Sequence, residues 1–124
     1  MVIHFHSGPA PHPEYFGREW PAVDQSDQLP GAMGAYVSEV MWWLYRPLTF
    51  MIWGGVFERF PRLKTMIVEG GTLFMLPPWL RLLDHNYRDV QFSAKLGDFR
   101  SHLSMAPSDY YRRNVAIGAS WLPA

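Results

Sequence analysis

The run LKTMIV at residues 63–68 restricts the fold of this chain more than any other feature. It is almost continuously apolar, and it ends at Glu69-Gly70-Gly71. A strand with one face in water alternates apolar and polar residues, whereas a strand buried on both faces of a parallel sheet is apolar throughout. Parallel neighbours are joined by long crossovers, which are usually helical. The run therefore predicts an α/β fold with a parallel sheet.

Two further strands are predicted on either side of this run. VIHFH at residues 2–6 ends at Ser7-Gly8, and VAIGA occupies residues 115–119. A long loop with many prolines is expected over about residues 8–30. The 124 residues read as one domain. Since about eight strands are needed to close a barrel, three strands predict part of a larger architecture.

The segments between the strands have the composition of helices. One helix is predicted from Gly31 to Tyr45. A second piece starts at Pro47, because proline is favoured in the first helical turn, and runs to about Trp53, where Gly54-Gly55 ends it. Pro77-Pro78 opens another helix with an apolar stripe at spacings of three and four. The last helix covers DYYRRN, with Ser108 predicted as its N-cap.

Charge and composition exclude several classes of protein. Eleven basic and eleven acidic residues give no net charge, whereas nucleic-acid binding requires a basic field. Without cysteine, the chain has no disulfides and no thiolate metal ligands. The apolar segment 40–57 is interrupted by Arg46-Pro47, and a membrane span needs about 20 apolar residues. We therefore expect a soluble, cytoplasmic protein that does not bind membranes, with no secretion signal.

Potential chemistry lies at the strand ends. His6 closes the first strand and Glu69 the second, each near glycine, and catalytic groups of parallel α/β proteins gather at the carboxyl ends of strands. Simpler interpretations also exist. A strand histidine is more often a packed or solvated residue than a metal ligand, and Glu69 could cap the helix that follows it, because carboxylates are stabilised at helix N-termini. His4 shares a strand face with His6 but lies deeper, as a core or supporting residue.

Other residues with potential chemistry have plainer interpretations. His12 has no evident partner, and His85 and His102 are predicted to be solvated. The tryptophans of the apolar segment are predicted to be core or interface aromatics: Trp42, Trp43 and Trp53.

The ordered motifs of the second half resemble the amidohydrolase-related family, the metal-dependent (β/α)8-barrel enzymes that include the aminocarboxymuconate-semialdehyde decarboxylase group. The resemblance covers about residues 54–115 and the strand ending at residues 2–8. It rests on these pieces in order: Gly55-Val56-Phe57, Arg59-Phe60-Pro61, Leu63-Lys64, Glu69-Gly70-Gly71, Leu83-Asp84, and Pro107-Ser108 with Tyr110 and Arg112.

The resemblance implies a partial TIM barrel comprising about strands five to seven, with no closure. His6 then occupies the place of a metal-binding histidine, and the implied metal is divalent, with zinc expected. Glu69 stands where many members have a histidine, and other branches of the family share this glutamate. The resemblance implies that Glu69 is an acid/base or a water-orienting group, and it leaves open which residue serves as the base and whether the reaction is hydrolysis or decarboxylation. The family's first-strand His-x-His pair and its last acidic ligand have no counterpart, so we expect neither tight metal binding nor activity from these residues alone.

Three hypotheses follow. The first is a fragment of a metal-dependent amidohydrolase-type enzyme that acts on a small carboxylated or cyclic compound. The second is a noncatalytic remnant that serves in protein interaction or assembly, with a homo-oligomer formed through residues 40–57. The third is membrane association through that same segment.

Overall fold

The computed structural model describes residues 1–6, 31–68, 75–89 and 94–118. Within these ranges three strands form one parallel sheet in chain order, which confirms the predicted α/β class. The described sheet is open and not a closed barrel. The predicted loop at about residues 8–30 lies outside the described residues. The elements are β1 (Val2–His6), α1 (Ala32–Trp53), α2 (Val56–Arg59), β2 (Lys64–Val68), α3 (Leu76–Arg88), α4 (Pro107–Asn114) and β3 (Val115–Ile117).

The two faces of the sheet have different surroundings. Register partners on parallel strands point to the same side, and successive residues point to opposite sides. Phe5 and its partner Ile67 face the helices, where Ile67 is completely buried. His4 and its partner Met66 lie on the other face, with His4 exposed and Met66 half-buried. Among the described residues, the sheet therefore has one covered face and one open face.

The hydrophobic core lies between the covered face and the helices. Helix α3 joins it through Trp79 and Leu83, and the Trp79 ring lies 5.0 Å from that of Tyr45 in α1. Full burial of each large apolar side chain contributes about 1.5–3 kcal/mol. The apolar side chains with no more than 1% exposure are Tyr45, Leu48, Ile52, Phe57, Ile67 and Tyr110.

Helix α1 runs unbroken through Pro47, so the predicted division into two helical pieces is wrong. An interior proline removes one backbone hydrogen bond and costs about 3 kcal/mol. Leu44 before Pro47 and both Leu48 and Ile52 after it are buried in the same core. Packing on both sides of the proline therefore holds the helix together.

None of the helices in the described ranges is long and apolar enough to cross a membrane.

The predicted helix end at Gly54-Gly55 is confirmed. The Gly54 amide donates to the Phe50 carbonyl at 2.8 Å, and the Gly55 amide donates to the Ile52 carbonyl at 3.0 Å. Gly55 has a φ of 67°, a left-handed backbone conformation that residues with a side chain rarely adopt. A β-carbon at this position would lie 3.1 Å from the His102 ring. Glycine therefore permits both the turn and the close approach of His102.

Ser108 lies inside α4, so its prediction as the N-cap is wrong. The cap position is Ala106, which makes no side-chain cap bond. The capping oxygens come instead from Asp84 of α3: its carboxylate accepts bonds from the Ser108 amide at 2.9 Å and from the Ser108 hydroxyl at 2.7 Å. A carboxylate from a neighbouring helix thus satisfies the start of α4 and ties α3 to α4.

Candidate functional site

His6 is the last residue of β1 and lies at the carboxyl end of the sheet. Its register partner on β2 is Val68, the last residue of that strand. The His6 side chain is exposed and belongs to the open face. Strand alternation therefore places the imidazole away from the helices and beside the end of β2, as the sequence predicts for a residue that acts at this edge.

His4 occupies the same open face, one pleat repeat below His6 along the strand. It is exposed and pairs in register with Met66. The prediction that His4 is a core residue is therefore wrong within the described part of the chain. Because the helices cover only the other face, nothing described there packs over this imidazole. A supporting role beside His6 remains a prediction.

Glu69, the predicted acid/base residue, follows Val68 directly in the sequence. It lies outside the described residues, as do Gly70 and Gly71. Its acid/base role therefore stays a prediction.

The described donor set does not complete a metal centre. No three histidine or carboxylate side chains come together in the ranges that the structure describes. A zinc site takes about four ligands, or three and a water molecule. Among the described residues, the open face offers the imidazoles of His4 and His6 and no carboxylate. Zinc and the ligand role of His6 therefore stay predictions.

The amino ends of β2 and β3 are fixed by one buried amide. Asn114, the last residue of α4, donates to the Pro61 carbonyl at 3.1 Å and to the Leu63 carbonyl at 2.7 Å. Leu63 directly precedes β2, and Asn114 directly precedes β3. This contact lies at the amino ends of the strands, whereas His6 lies at a carboxyl end, so the Asn114 amide has a structural role.

A second polar cluster joins α2 to α4. The Tyr110 hydroxyl donates to the Glu58 carboxylate, as does the Ser104 hydroxyl at 2.9 Å. These bonds, that from Tyr110 foremost, lower the pKa of Glu58. Burial, followed by the bond to Glu58, raises the pKa of Tyr110. Nothing local in the sequence indicates this cluster, because 52 residues separate its two main members.

Most motif residues that the structure describes serve the helical layer rather than the strand ends. Gly55 forms the turn, Phe57 is completely buried, and Asp84 caps α4 through Ser108. Arg112 donates to the Ser108 hydroxyl at 3.1 Å, which extends the same network. These motifs therefore report how the helices pack, and they do not by themselves identify a reaction.

The remaining histidines and tryptophans lie on the helical side of the sheet or outside the described ranges. His85 is exposed, as predicted, and lies 3.9 Å from Asp89. His102 is also exposed but contacts the Trp53 carbonyl at 2.7 Å, whereas His12 lies outside the described residues. Trp42 is 52% exposed. Since Trp43 and Trp53 are half-buried, none of the three tryptophans belongs to the fully buried core.

An open apolar cavity of about 790 Å³ lies near the start of β1, between Met1, Ile3, Phe60 and Leu63. Two arginines, Arg59 and Arg62, also line it. In α/β proteins substrates bind at the carboxyl ends of strands. This cavity borders the opposite end of β1, so it is separate from the edge that carries His6.

Comparisons with known proteins find a likeness to solved structures. No protein-family model matches the chain, and no curated protein matches it. Among solved structures, the chain is similar to 5-carboxyvanillate decarboxylase LigW from Sphingomonas paucimobilis, at 27% sequence identity and a TM-score of 0.48. The match covers 94% of this chain and 29% of the decarboxylase chain, so this chain spans less than a third of that protein's length.

Proposed function

We propose that this chain forms part of a (β/α)8-barrel enzyme of the amidohydrolase-related type, acting on a small carboxylated or cyclic organic substrate. The chain would supply three consecutive strands of the barrel with their helices. The observation that carries the proposal is the parallel sheet, in which the described helices cover one face and His6 lies at the carboxyl end of the other. In a barrel that open face would point inward. The ordered motifs of residues 54–115 support the same family.

In this proposal His6 is one of several metal ligands, and the others come from strands that the described residues do not include. A bound divalent metal would polarise a substrate oxygen or activate water. Glu69, the next residue after β2 in the sequence, takes or gives a proton at the substrate. Both hydrolysis and decarboxylation agree with these roles. The described residues alone do not assemble the centre, so we expect activity only from the complete barrel.

The first test is the coding sequence on both sides of this segment. The proposal expects a His-x-His strand upstream and a strand that ends in an acidic residue downstream. An uninterrupted flanking sequence that lacks both would refute it.

The second test compares two histidines in the protein encoded by the complete reading frame. His6→Ala should lower the zinc content at least about tenfold, since it removes a direct ligand. His4→Ala, on the same strand face, is the matched control and should retain most of the metal. Equal zinc in both variants would refute the ligand assignment.

Glu69 is tested by Glu69→Gln in that complete protein. This variant should keep its zinc and lose at least about 100-fold in kcat on aromatic carboxylic acids, assayed by release of carbon dioxide or by hydrolysis. Unchanged turnover would assign the proton transfer to another group.

A second function, assembly without catalysis, is favoured by a different observation. The outer side of α1 exposes Trp42 by 52% and Phe50 by 67%. Large exposed aromatics on one helix are typical of interaction surfaces. This function predicts association of the chain in the absence of any metal, and strictly monomeric behaviour would exclude it.

A further inference from the structure

We propose that α1 is the contact of a two-fold symmetric homodimer, in which the helices of two copies pack antiparallel. This inference concerns the outer side of α1; it rests on the assembly function proposed for that surface and does not depend on the enzymatic one. It identifies the second copy of this chain as the occupant of that surface, and it fixes which residues face each other.

The outer side of α1 is separate from its core side. Leu44, Leu48 and Ile52 face the core. At about 3.6 residues per turn, positions 39, 46 and 50 lie on the opposite side of the helix from Leu48. Glu39 and Arg46 are exposed there, and Phe50 is 67% exposed. We call the outward residues Ala35, Glu39, Trp42, Trp43, Arg46 and Phe50 the outer stripe.

Arg46 lies within the outer stripe, close to two of its rings. Its guanidinium carbon lies 5.0 Å from the centre of the Trp43 ring and 5.8 Å from that of Phe50. Both are cation–π distances, and such contacts restrict where the guanidinium lies. The positive charge therefore belongs to the aromatic surface and is part of what a docking partner meets.

The order of residues in the outer stripe is self-complementary about a point between Trp42 and Trp43. If two α1 helices pack antiparallel with a two-fold axis at this point, Glu39 of each copy faces Arg46 of the other. The same register places the small, exposed Ala35 opposite the large Phe50. Trp42 then faces Trp43 at the centre, where interface energy is concentrated. Charge and size match at every level of the stripe.

Other arrangements fit this pattern less well. Parallel pairing in register would put Glu39 against Glu39 and Arg46 against Arg46, which is repulsive. An anionic membrane surface attracts clusters of basic residues, and the outer stripe has one arginine and one glutamate. The 22 residues of α1 extend over about 33 Å, which is long enough for an interface with several aromatic contacts on each copy.

Charge reversal with sedimentation equilibrium tests the register. The full chain should associate to a dimer as its concentration rises. Glu39→Arg or Arg46→Glu alone should weaken the dimer by about tenfold or more, since each creates two repulsive pairs across the axis. The double variant E39R/R46E should restore the dimer. Arg62→Glu, at an exposed position outside α1, is the control for altered net charge and should leave association unchanged.

Cysteine trapping gives an independent readout, because the chain has no cysteine of its own. The double variant E39C/R46C should form a disulfide-linked dimer on mild oxidation, whereas each single variant should not. Positions 39 and 46 on one helix are about 10.5 Å apart. This exceeds the Cα separation of about 4.4–6.8 Å that a disulfide spans, so no bond forms within one copy.

Several outcomes would overturn the proposal. One is a chain that stays monomeric at every concentration while its circular dichroism shows a folded α/β protein. Another is a dimer that tolerates both single reversals, which would assign the contact to a different surface. Failure of the double reversal to restore association would exclude the antiparallel register. Binding of the monomer to vesicles of phosphatidylcholine and phosphatidylserine, lost on Arg46→Glu, would identify the occupant as lipid.

Discussion

Asp84 holds the start of α4 with both oxygens of one half-buried carboxylate. Asp84→Ala should lower the free energy of unfolding by about 2 kcal/mol, because hydrogen bonds to a charged group contribute about 1.5–3 kcal/mol. Arg88→Ala is the control, since its exposed guanidinium lies 3.7 Å from the same carboxylate and such surface pairs contribute little. Urea denaturation measures both. Equal losses in the two variants would contradict the capping role.

Glu58 gives a prediction for acidic pH. Its folded pKa lies below the ordinary 4.5 because the hydroxyls of Tyr110 and Ser104 donate to the charged carboxylate. The resulting stabilisation is present above the unfolded pKa and is lost as the pH falls through the folded value. Tyr110→Phe should raise the pKa of Glu58 in an NMR titration, and Ser104→Ala should raise it less. An unchanged pKa in both variants would exclude these bonds as the cause.

The control for that titration is Tyr87→Phe. The Tyr87 hydroxyl donates to the Leu103 carbonyl at 3.1 Å and makes no bond to Glu58. Its loss should leave the Glu58 titration unchanged.

These polar contacts show what a single sequence does not reveal at the scale of residues. The i, i+4 spacing of Asp84 and Arg88 predicts their weak pair, which the structure contains. The stronger bonds of Asp84 reach Ser108, 24 residues away, and depend on how α3 and α4 meet. Such contacts follow from tertiary packing, so local spacing cannot identify them.

Helix α1 offers a prediction at the scale of elements. Pro47→Ala should raise the free energy of unfolding by about 1–2 kcal/mol, because it restores an interior helical hydrogen bond. Alanine also gives the unfolded chain more conformational freedom than proline does, which offsets part of that gain. Pro77→Ala, in the first turn of α3, is the matched control and should give no gain. Thermal unfolding distinguishes them. Destabilisation by Pro47→Ala would mean that the proline ring itself is needed for packing.

Two glycines with positive φ separate backbone strain from steric contact. Gly31 has a φ of 85° with open space around its added β-carbon, whereas Gly55 has a φ of 67° and His102 at 3.1 Å. Gly31→Ala should cost about 1 kcal/mol from the backbone alone. Gly55→Ala should cost more because it also displaces the His102 ring. Equal costs in chemical denaturation would show that His102 moves without penalty.

Element boundaries are predicted well where short-range chemistry sets them. Gly54-Gly55 ends α1 because glycine accepts the conformation of the turn, and the strand 64–68 follows from its continuous apolar run. The predicted division at Pro47 is wrong because a rule based on local sequence takes no account of the side chains that are buried in the core before and after the proline. Propensity describes an isolated segment, whereas the core selects among its conformations.

At the scale of the whole molecule, the two faces of β2 should respond differently to truncation. Ile67→Ala removes a fully buried side chain from the covered face and should cost about 2–5 kcal/mol. Met66→Ala, on the half-buried open face, should cost about 1 kcal/mol or less in this chain. Denaturant midpoints measure both. In the complete barrel that we propose, the open face is covered, so Met66→Ala should cost more there than it does in this chain.

The candidate site is predicted only in part. Strand alternation and the parallel order place His6 at the carboxyl edge, and the structure has it there. In the barrel that we propose, the other metal ligands would come from strands outside this sequence, so local spacing could not identify them. Glu69 follows Val68 in the chain, and its role stays part of that proposal.

The open sheet also has two outer edges in its described part, one on β1 and one on β3. Each edge presents backbone amides and carbonyls that are ready to pair with another strand. Both edge strands are short, with five residues in β1 and three in β3, and short edges limit pairing between copies. The pairing that remains, and with it fibrous aggregation, should grow with protein concentration, which makes dilute solution the better choice for storing this chain.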